Sequence, residues 1–131
     1  MDAIVTIIAR QKMIKARAGV ADLPKITGFA FGDGGVDDGG NVKTPTEDQT
    51  SLNNELLKKV IDGYEISEDG LSCKYTCTLG KAELADEEIS EIALYDADND
   101  LVAIKNFLPK GKDDDLEMTF EINDSMETTL D

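Results

Sequence analysis

The chain has 131 residues, a formal net charge of −15, 40 % apolar residues, 5 % aromatics, no Trp and no His. That length suits one domain able to bury its own core, which must be built mainly from Ile, Leu, Val, Ala and Met. The acid excess argues against nucleic acid and anionic membranes as partners, since both need a basic footprint, and the lack of His removes the imidazole base that Ser and Cys nucleophiles use.

The charge is unevenly placed. Arg10, Lys12, Lys15 and Arg17 stand against Asp2 alone in residues 1–19. A basic N-terminal segment can therefore be held on an acidic body, its own or a neighbour's, by an attraction that weakens with salt. Ile4, Ile7, Ile8 and Ile14 recur there with near-helical spacing, Val5, Ala9, Met13 and Ala16 widen the apolar face, and Gly19 supplies a stop. This predicts a helix from Asp2 to Ala18 whose broad apolar surface suits burial in the core or between subunits.

After Pro24, Lys25 to Phe31 reads as a strand, followed by GDGGVDDGGNVKTPTED, Gly32 to Asp48, rich in Gly, Asp, Thr and Pro and without periodicity. A loop of that length in a compact domain is usually functional or mobile. Asn54 to Ser67 mixes helical and strand patterns and is read as a strand after a short turn. Leu71 to Leu79 alternates with a clean period of two, Leu71, Cys73, Tyr75, Cys77 and Leu79 facing one way, so one of its faces is expected to be buried. Gly80 and Lys81 open an acidic connection. Ile89 to Phe107 then forms two β-rich runs around an acidic turn, a hairpin. A last strand spans Leu116 to Ile122, and the polar tail over 124–131 is expected to fray. The fold class that follows is α+β, an N-terminal helix followed by a mainly antiparallel β-sheet or sandwich.

The candidate chemistry is sparse. Cys73 and Cys77, four residues apart on a strand, lie about 13 Å from each other, too far for a disulfide. They are expected to be reduced thiols, and the absence of any other Cys or His leaves no zinc ligand set. GDGG at Gly32 to Gly35 fails the dinucleotide fingerprint, because Asp37 stands where the third Gly is required, and its glycines are read as positions of positive φ in turns. Asp96, Asp98 and Asp100 in DADND imitate the opening of a calcium loop. Leu101 replaces the Gly of position 6 and Phe107 the Glu of position 12, so the expectation is a hairpin turn with solvated carboxylates and no metal. Asp113, Asp114 and Asp115 read as another acidic turn. No cofactor and no catalytic residue is predicted. With no run of 18 apolar residues and no secretory signal at Ile4 to Ala9, the chain is expected to be soluble and not to leave, by any address label of its own, the cytosol in which it is made.

Four blocks occur in order: a helix ending in KARAG, then KITGFAFGDGG (Lys25 to Gly35), TSLNNELLKK (Thr50 to Lys59) and ISEIALYDADNDLVAIKNF (Ile89 to Phe107), with GKDDDLEMTFEIN (Gly111 to Asn123) behind them. Together they resemble the N-terminal domain of phage tail-collar fibre proteins, including the short versions in prophages of Gram-positive bacteria. Lys58 and Lys59 stand where that family frequently has Arg. The resemblance implies a single fibre-head domain over 1–131 that joins a tail fibre to the baseplate of a phage or of a tail-derived bacteriocin particle. It also implies three copies per fibre position, other tail or baseplate proteins as partners, and no inherited active site.

Two functional readings follow. In the first the chain is a structural component of the particle, and Ile4, Ile7, Ile8, Arg10, Ile14 and Lys15 form its docking surface for a neighbouring subunit. The alternative is a carbohydrate-binding or carbohydrate-cleaving protein acting on the host envelope through its acidic loops, against which the shortage of sugar-stacking aromatics counts.

Overall fold

The computed structural model describes residues 3–126. The elements run β1 (Ile4–Val5), α1 (Ile7–Arg17), β2 (Ile26–Gly32), β3 (Glu55–Val60), β4 (Gly63–Ile66), β5 (Ser72–Leu79), β6 (Glu87–Asp96), β7 (Leu101–Lys112) and β8 (Met118–Ser125). They form a five-stranded sheet of order β1-β7-β6-β2-β3 and a three-stranded sheet of order β4-β5-β8, and every pairing is antiparallel. The α+β expectation is therefore corrected. The architecture is a β-sandwich, with α1 the one α-helix among the described residues.

The N-terminal segment departs from the continuous helix predicted for it. Ile4 and Val5, both β-branched and suited to a pleated surface, pair with Ile104 and Ala103 of β7. Thr6 then switches the chain to helix. Its backbone is extended (φ −72°, ψ 158°), its Oγ1 accepts from the Ala9 N–H at 3.3 Å, and the same hydroxyl donates to the Leu101 carbonyl at 2.7 Å. The cap thus also ties the helix start to β7. Gly19 ends the helix as predicted. At φ +76° it lets its own N–H reach the Ala16 carbonyl and that of Val20 reach Lys15, the paired bonds of a Schellman stop. The predicted start at Asp2 lies outside the described residues.

Asn54 to Ser67 is two strands in different sheets. β3 pairs with β2, and β4 turns away to pair with β5, so this segment joins the two layers. Alternation builds the core between them. Phe29 and Phe31 from β2, Ile92 and Leu94 from β6, and Ala103 from β7 meet Cys77 and Leu79 from β5 and Phe120 and Ile122 from β8. Phe31 meets Phe120 edge to face at 5.3 Å, a favoured aromatic geometry. Tyr64 lies opposite Tyr75, and Ile66 opposite Cys73, so both continue the inner face of the smaller sheet. Yet they are 66 % and 60 % exposed. The sandwich therefore stands open at that end.

The opposite face of the larger sheet carries a second cluster, Ala30, Ala93, Leu101 and Ile104, covered by Leu52, which lies between the long loop and β3. That loop, predicted to be functional or mobile, is tied down by a buried carboxylate. Glu91 is fully buried; its Oε2 accepts from the N–H groups of Gly34 and Asn54 and its Oε1 from that of Asn53, each at 2.8 Å. Ser90 Oγ accepts from the Gly35 N–H at 2.9 Å, and Asn106 Nδ2 donates to the Lys43 carbonyl at 3.0 Å. This also corrects the reading of GDGG. Gly32, Gly34 and Gly35 do not have positive φ; a Cβ at Gly35 would stand 2.0 Å from the Ser90 carbonyl oxygen, so close backbone approach requires the glycine.

Two further boundaries shift. The hairpin arms reach from Glu87 to Lys112, and at their open end the buried Lys112 ammonium donates to the Lys81 and Asp113 carbonyls, tying down the turn that precedes β6. The last strand runs to Ser125, so the start of the expected frayed tail is paired with β5, and residues 127–131 lie outside the described residues. No described helix is long and apolar enough to cross a membrane.

Replacing Glu91 by Gln keeps the shape but turns an amide N–H₂ toward a backbone donor. The variant is expected to lose about 2–3 kcal/mol of stability, the range for a charge-assisted bond broken in a buried site. Hydrogen exchange would accelerate first at the Gly34 and Asn54 amides; unchanged protection there would show that the carboxylate does not hold the loop.

Candidate docking surface

The β6–β7 turn is organised by Asp96, which is 3 % exposed. Its Oδ1 accepts from the N–H groups of Asp98 and Asp100 at 3.0 and 3.1 Å, closing the turn. Asn99, at φ +67°, takes the left-handed conformation that Asn tolerates. The other oxygen, Oδ2, faces α1 and accepts from Lys12 Nζ at 2.7 Å, while Asp98 and Asp100 approach the same ammonium at 3.2 and 2.8 Å. The calcium-like triplet is thus a seat for a lysine. Its carboxylates lie close enough together to share one ion, and the Lys12 ammonium occupies that position. The expectation of solvated carboxylates fails for Asp96 because the helix lies across the turn.

Burial works against a charged Lys12, but the hydrogen bonds it donates to Asp100, Asp96 and Asp98 outweigh it and hold the ammonium above the ordinary lysine range. A cation with a raised folded pKa contributes its stability below the unfolded value and loses it only as pH rises through the folded one. The lysine is therefore fully charged at neutral pH, and as pH rises its contribution to the clamp is lost only in strongly alkaline solution.

With Lys12 fixed, the outer side of α1 has a defined content. Ile7, Arg10, Gln11, Ile14 and Lys15, together with Glu47 from the long loop, line one shallow depression. Ile14 is 63 % exposed, Lys15 is exposed, and Arg10 pairs with Glu47 at 2.8 Å across an exposed contact that contributes little and is easily exchanged. Of the residues predicted for docking, Ile7, Arg10, Ile14 and Lys15 are brought together. Ile4 is separate, in β1 opposite Ile104, and the half-buried Ile8 does not line the depression. Neither Lys12 nor Glu91 was predicted as a determinant. Lys12 on a basic helix beside three alternating aspartates, and a Glu inside the apolar run of β6, are the signals that mark them.

Little of this surface suits covalent chemistry. Cys73 and Cys77 are free thiols on β5. Burial pushes Cys77 up to about 11, so it is a protonated thiol at neutral pH.

The molecule is a two-layer antiparallel sandwich with a clamped helix that leaves a mixed basic and apolar side exposed. The chain belongs to the phage tail-collar fibre protein family, whose N-terminal domain matches residues 1–120. Membership makes it a structural protein of the phage tail fibre, located in the virion tail with other tail proteins as partners. No curated protein and no solved structure matches the chain.

Lys12→Met would leave the carboxylates without their cation. Because Asp98 and Asp100 are partly solvated, the expected loss is about 2 kcal/mol, below that for breaking a fully buried pair. Lys15→Met, at an exposed position on the same helix, should stay within about 0.5 kcal/mol. Urea unfolding of the two variants separates the cases; equal stabilities would refute the clamp.

Proposed function

We propose that the chain is the head domain of a tail fibre, a single unit over residues 1–131 that attaches the baseplate-proximal part of the fibre in a phage or a tail-derived bacteriocin particle. Three copies assemble at each fibre position. The observation that carries this reading is the side of α1 holding Ile7, Arg10, Ile14 and Lys15, a basic and partly apolar patch on a chain of net charge −15. An acidic surface of a neighbouring subunit complements it, and such complementarity guides encounter and register. Clamping by Lys12 supports it further, since a side held rigid before binding loses less freedom on docking. The role is structural and uses no cofactor.

Immunogold labelling of purified tail particles from induced cells tests the location. Label at the baseplate end is the expected result; unlabelled particles beside abundant protein in the lysate would overturn the reading in favour of a factor absent from the finished particle. For the docking side, Ile14→Asp combined with Lys15→Glu is expected to leave circular dichroism and melting unchanged, because both positions are exposed. Incorporation into particles should fall on the order of tenfold or more, the equivalent of about 1.4 kcal/mol. Normal incorporation would remove this side of α1 from the interface.

A further inference from the structure

The open end of the sandwich forms a cleft of about 790 Å³, within the usual size range of binding pockets. One wall comes from the larger sheet and the segment before it, including Leu23 and Ile26; the other is the uncovered inner face of the smaller sheet, with Tyr64, Ile66 and Met126. Leu23, Tyr64, Ile66 and Met126 are each about half or more exposed, a concentration of apolar surface that marks an interaction site more often than chance scatter. The strand bearing Tyr64 and Ile66 is the outermost of its sheet.

Charge narrows the occupant. Lys12, Lys25, Asp96 and Asp124 are the charged residues of the lining. Lys12 and Asp96 neutralise each other at 2.7 Å, and Lys25 is exposed at the rim. Asp124 is different. It lies opposite Cys73 at the end of the inner face and is half-buried, and burial alone pushes its carboxyl pKa up. Among the described residues no side chain or backbone donor bonds to it. Partial burial disfavours the charged form of that carboxyl, so a cation or donor brought against it is a favourable partner.

We infer that this cleft receives an apolar peptide segment of a neighbouring tail protein, inserted between the two sheets, with one Lys or Arg side chain paired to Asp124. The contact is distinct from the outer side of α1 and rests on the reading of the chain as a tail attachment module. The cleft's apolar walls supply the area removed from water, and Asp124 selects the charge of the inserted segment, since a like-charged or neutral side chain there leaves the carboxylate unpaired.

The probe is a short, Gly/Ser-flanked synthetic peptide of Leu and Ile residues carrying a single Arg, beside its Arg→Glu counterpart. Binding is followed by amide chemical shifts of the full chain. The Arg peptide is expected to perturb Ile66, Cys73 and Asp124 and to bind on the order of tenfold tighter than the Glu peptide, about 1.4 kcal/mol. Asp124→Asn should erase that preference while keeping or raising the melting temperature, which excludes misfolding as the cause; Ile66→Asp should weaken both peptides. Equal affinities in the native chain, or no shifts in the cleft, would overturn the inference. So would a fatty acid or apolar dye that binds the cleft where both peptides fail. Particle incorporation of Asp124→Lys and Ile66→Asp is measured in parallel. If the peptides bind as expected but incorporation is normal and gold label remains at the baseplate end, the cleft is not a tail contact while the head-domain reading stands. Loss of the label itself would remove that reading.

Discussion

The seating of the Lys12 ammonium among Asp96, Asp98 and Asp100 is the interaction on which the placement of α1 depends. Helix α1 has one fully buried residue, Ala9, with Ile7, Ile8 and Met13 half-buried, and isolated helices of eleven residues are marginal in water. Two polar attachments compensate. Thr6 fixes its start to β7, and Lys12 fixes its middle to the turn that closes β6 and β7. Because Asp96 uses one oxygen for the turn and the other for the lysine, the turn and the helix position are determined together. The outward side of the helix is consequently presented in one orientation.

Strand β6 is the common support. It pairs with β2 on one side and β7 on the other, and its alternation divides the molecule. Ile92 and Leu94 face the smaller sheet, while Ala93 faces the cluster under the long loop. Its polar residues act where the alternation is interrupted or ends: Ser90 and Glu91, at the register shift between Ile89 and Glu91, receive the loop, and Asp96, at the strand end, receives the helix. A buried carboxylate such as Glu91 is costly to desolvate, and the backbone N–H groups it accepts are what make the site tenable. The loop is in this way part of the fold, and the larger sheet is covered on both faces. The smaller sheet is covered only in part, which leaves the cleft.

Much of the β architecture was legible because alternation is a local signal. Tyr75, Cys77 and Leu79, and the run of Met118, Phe120 and Ile122, sit in strands with one side inward, although Leu71 lies outside its strand and is 49 % exposed; the Ile89 to Phe107 hairpin is present. The Gly19 stop was legible too, as a glycine after a periodic run. The helix-led class was not, because Ile serves both helix and strand: Ile4 and Val5 are claimed by β7, and that pairing depends on residues a hundred positions away. The role of Asp96 was hidden for the same reason. A DxDxD turn carries no indication that a lysine more than eighty residues earlier will lie across it. GDGG was misread because contact with Ser90, a tertiary event, and not positive φ, excludes side chains there. The grouping of Ile7, Arg10, Ile14 and Lys15 on one side of α1 could be read from the charge excess and spacing, whereas Asp124 looks like an ordinary tail aspartate until the register with Cys73 is known.

A preorganised helix accounts for why a basic, partly apolar segment sits on an acidic sandwich without collapsing onto it at random, and the same clamp makes the cleft wall beside α1 a fixed boundary. The most direct test is a double-mutant cycle between Lys12→Met and Asp96→Asn, read from chemical unfolding. The account predicts a coupling energy of roughly 1–3 kcal/mol, the size found for residues sharing one polar network. A coupling indistinguishable from zero would mean that the helix is held by something other than this seat, and would contradict the account.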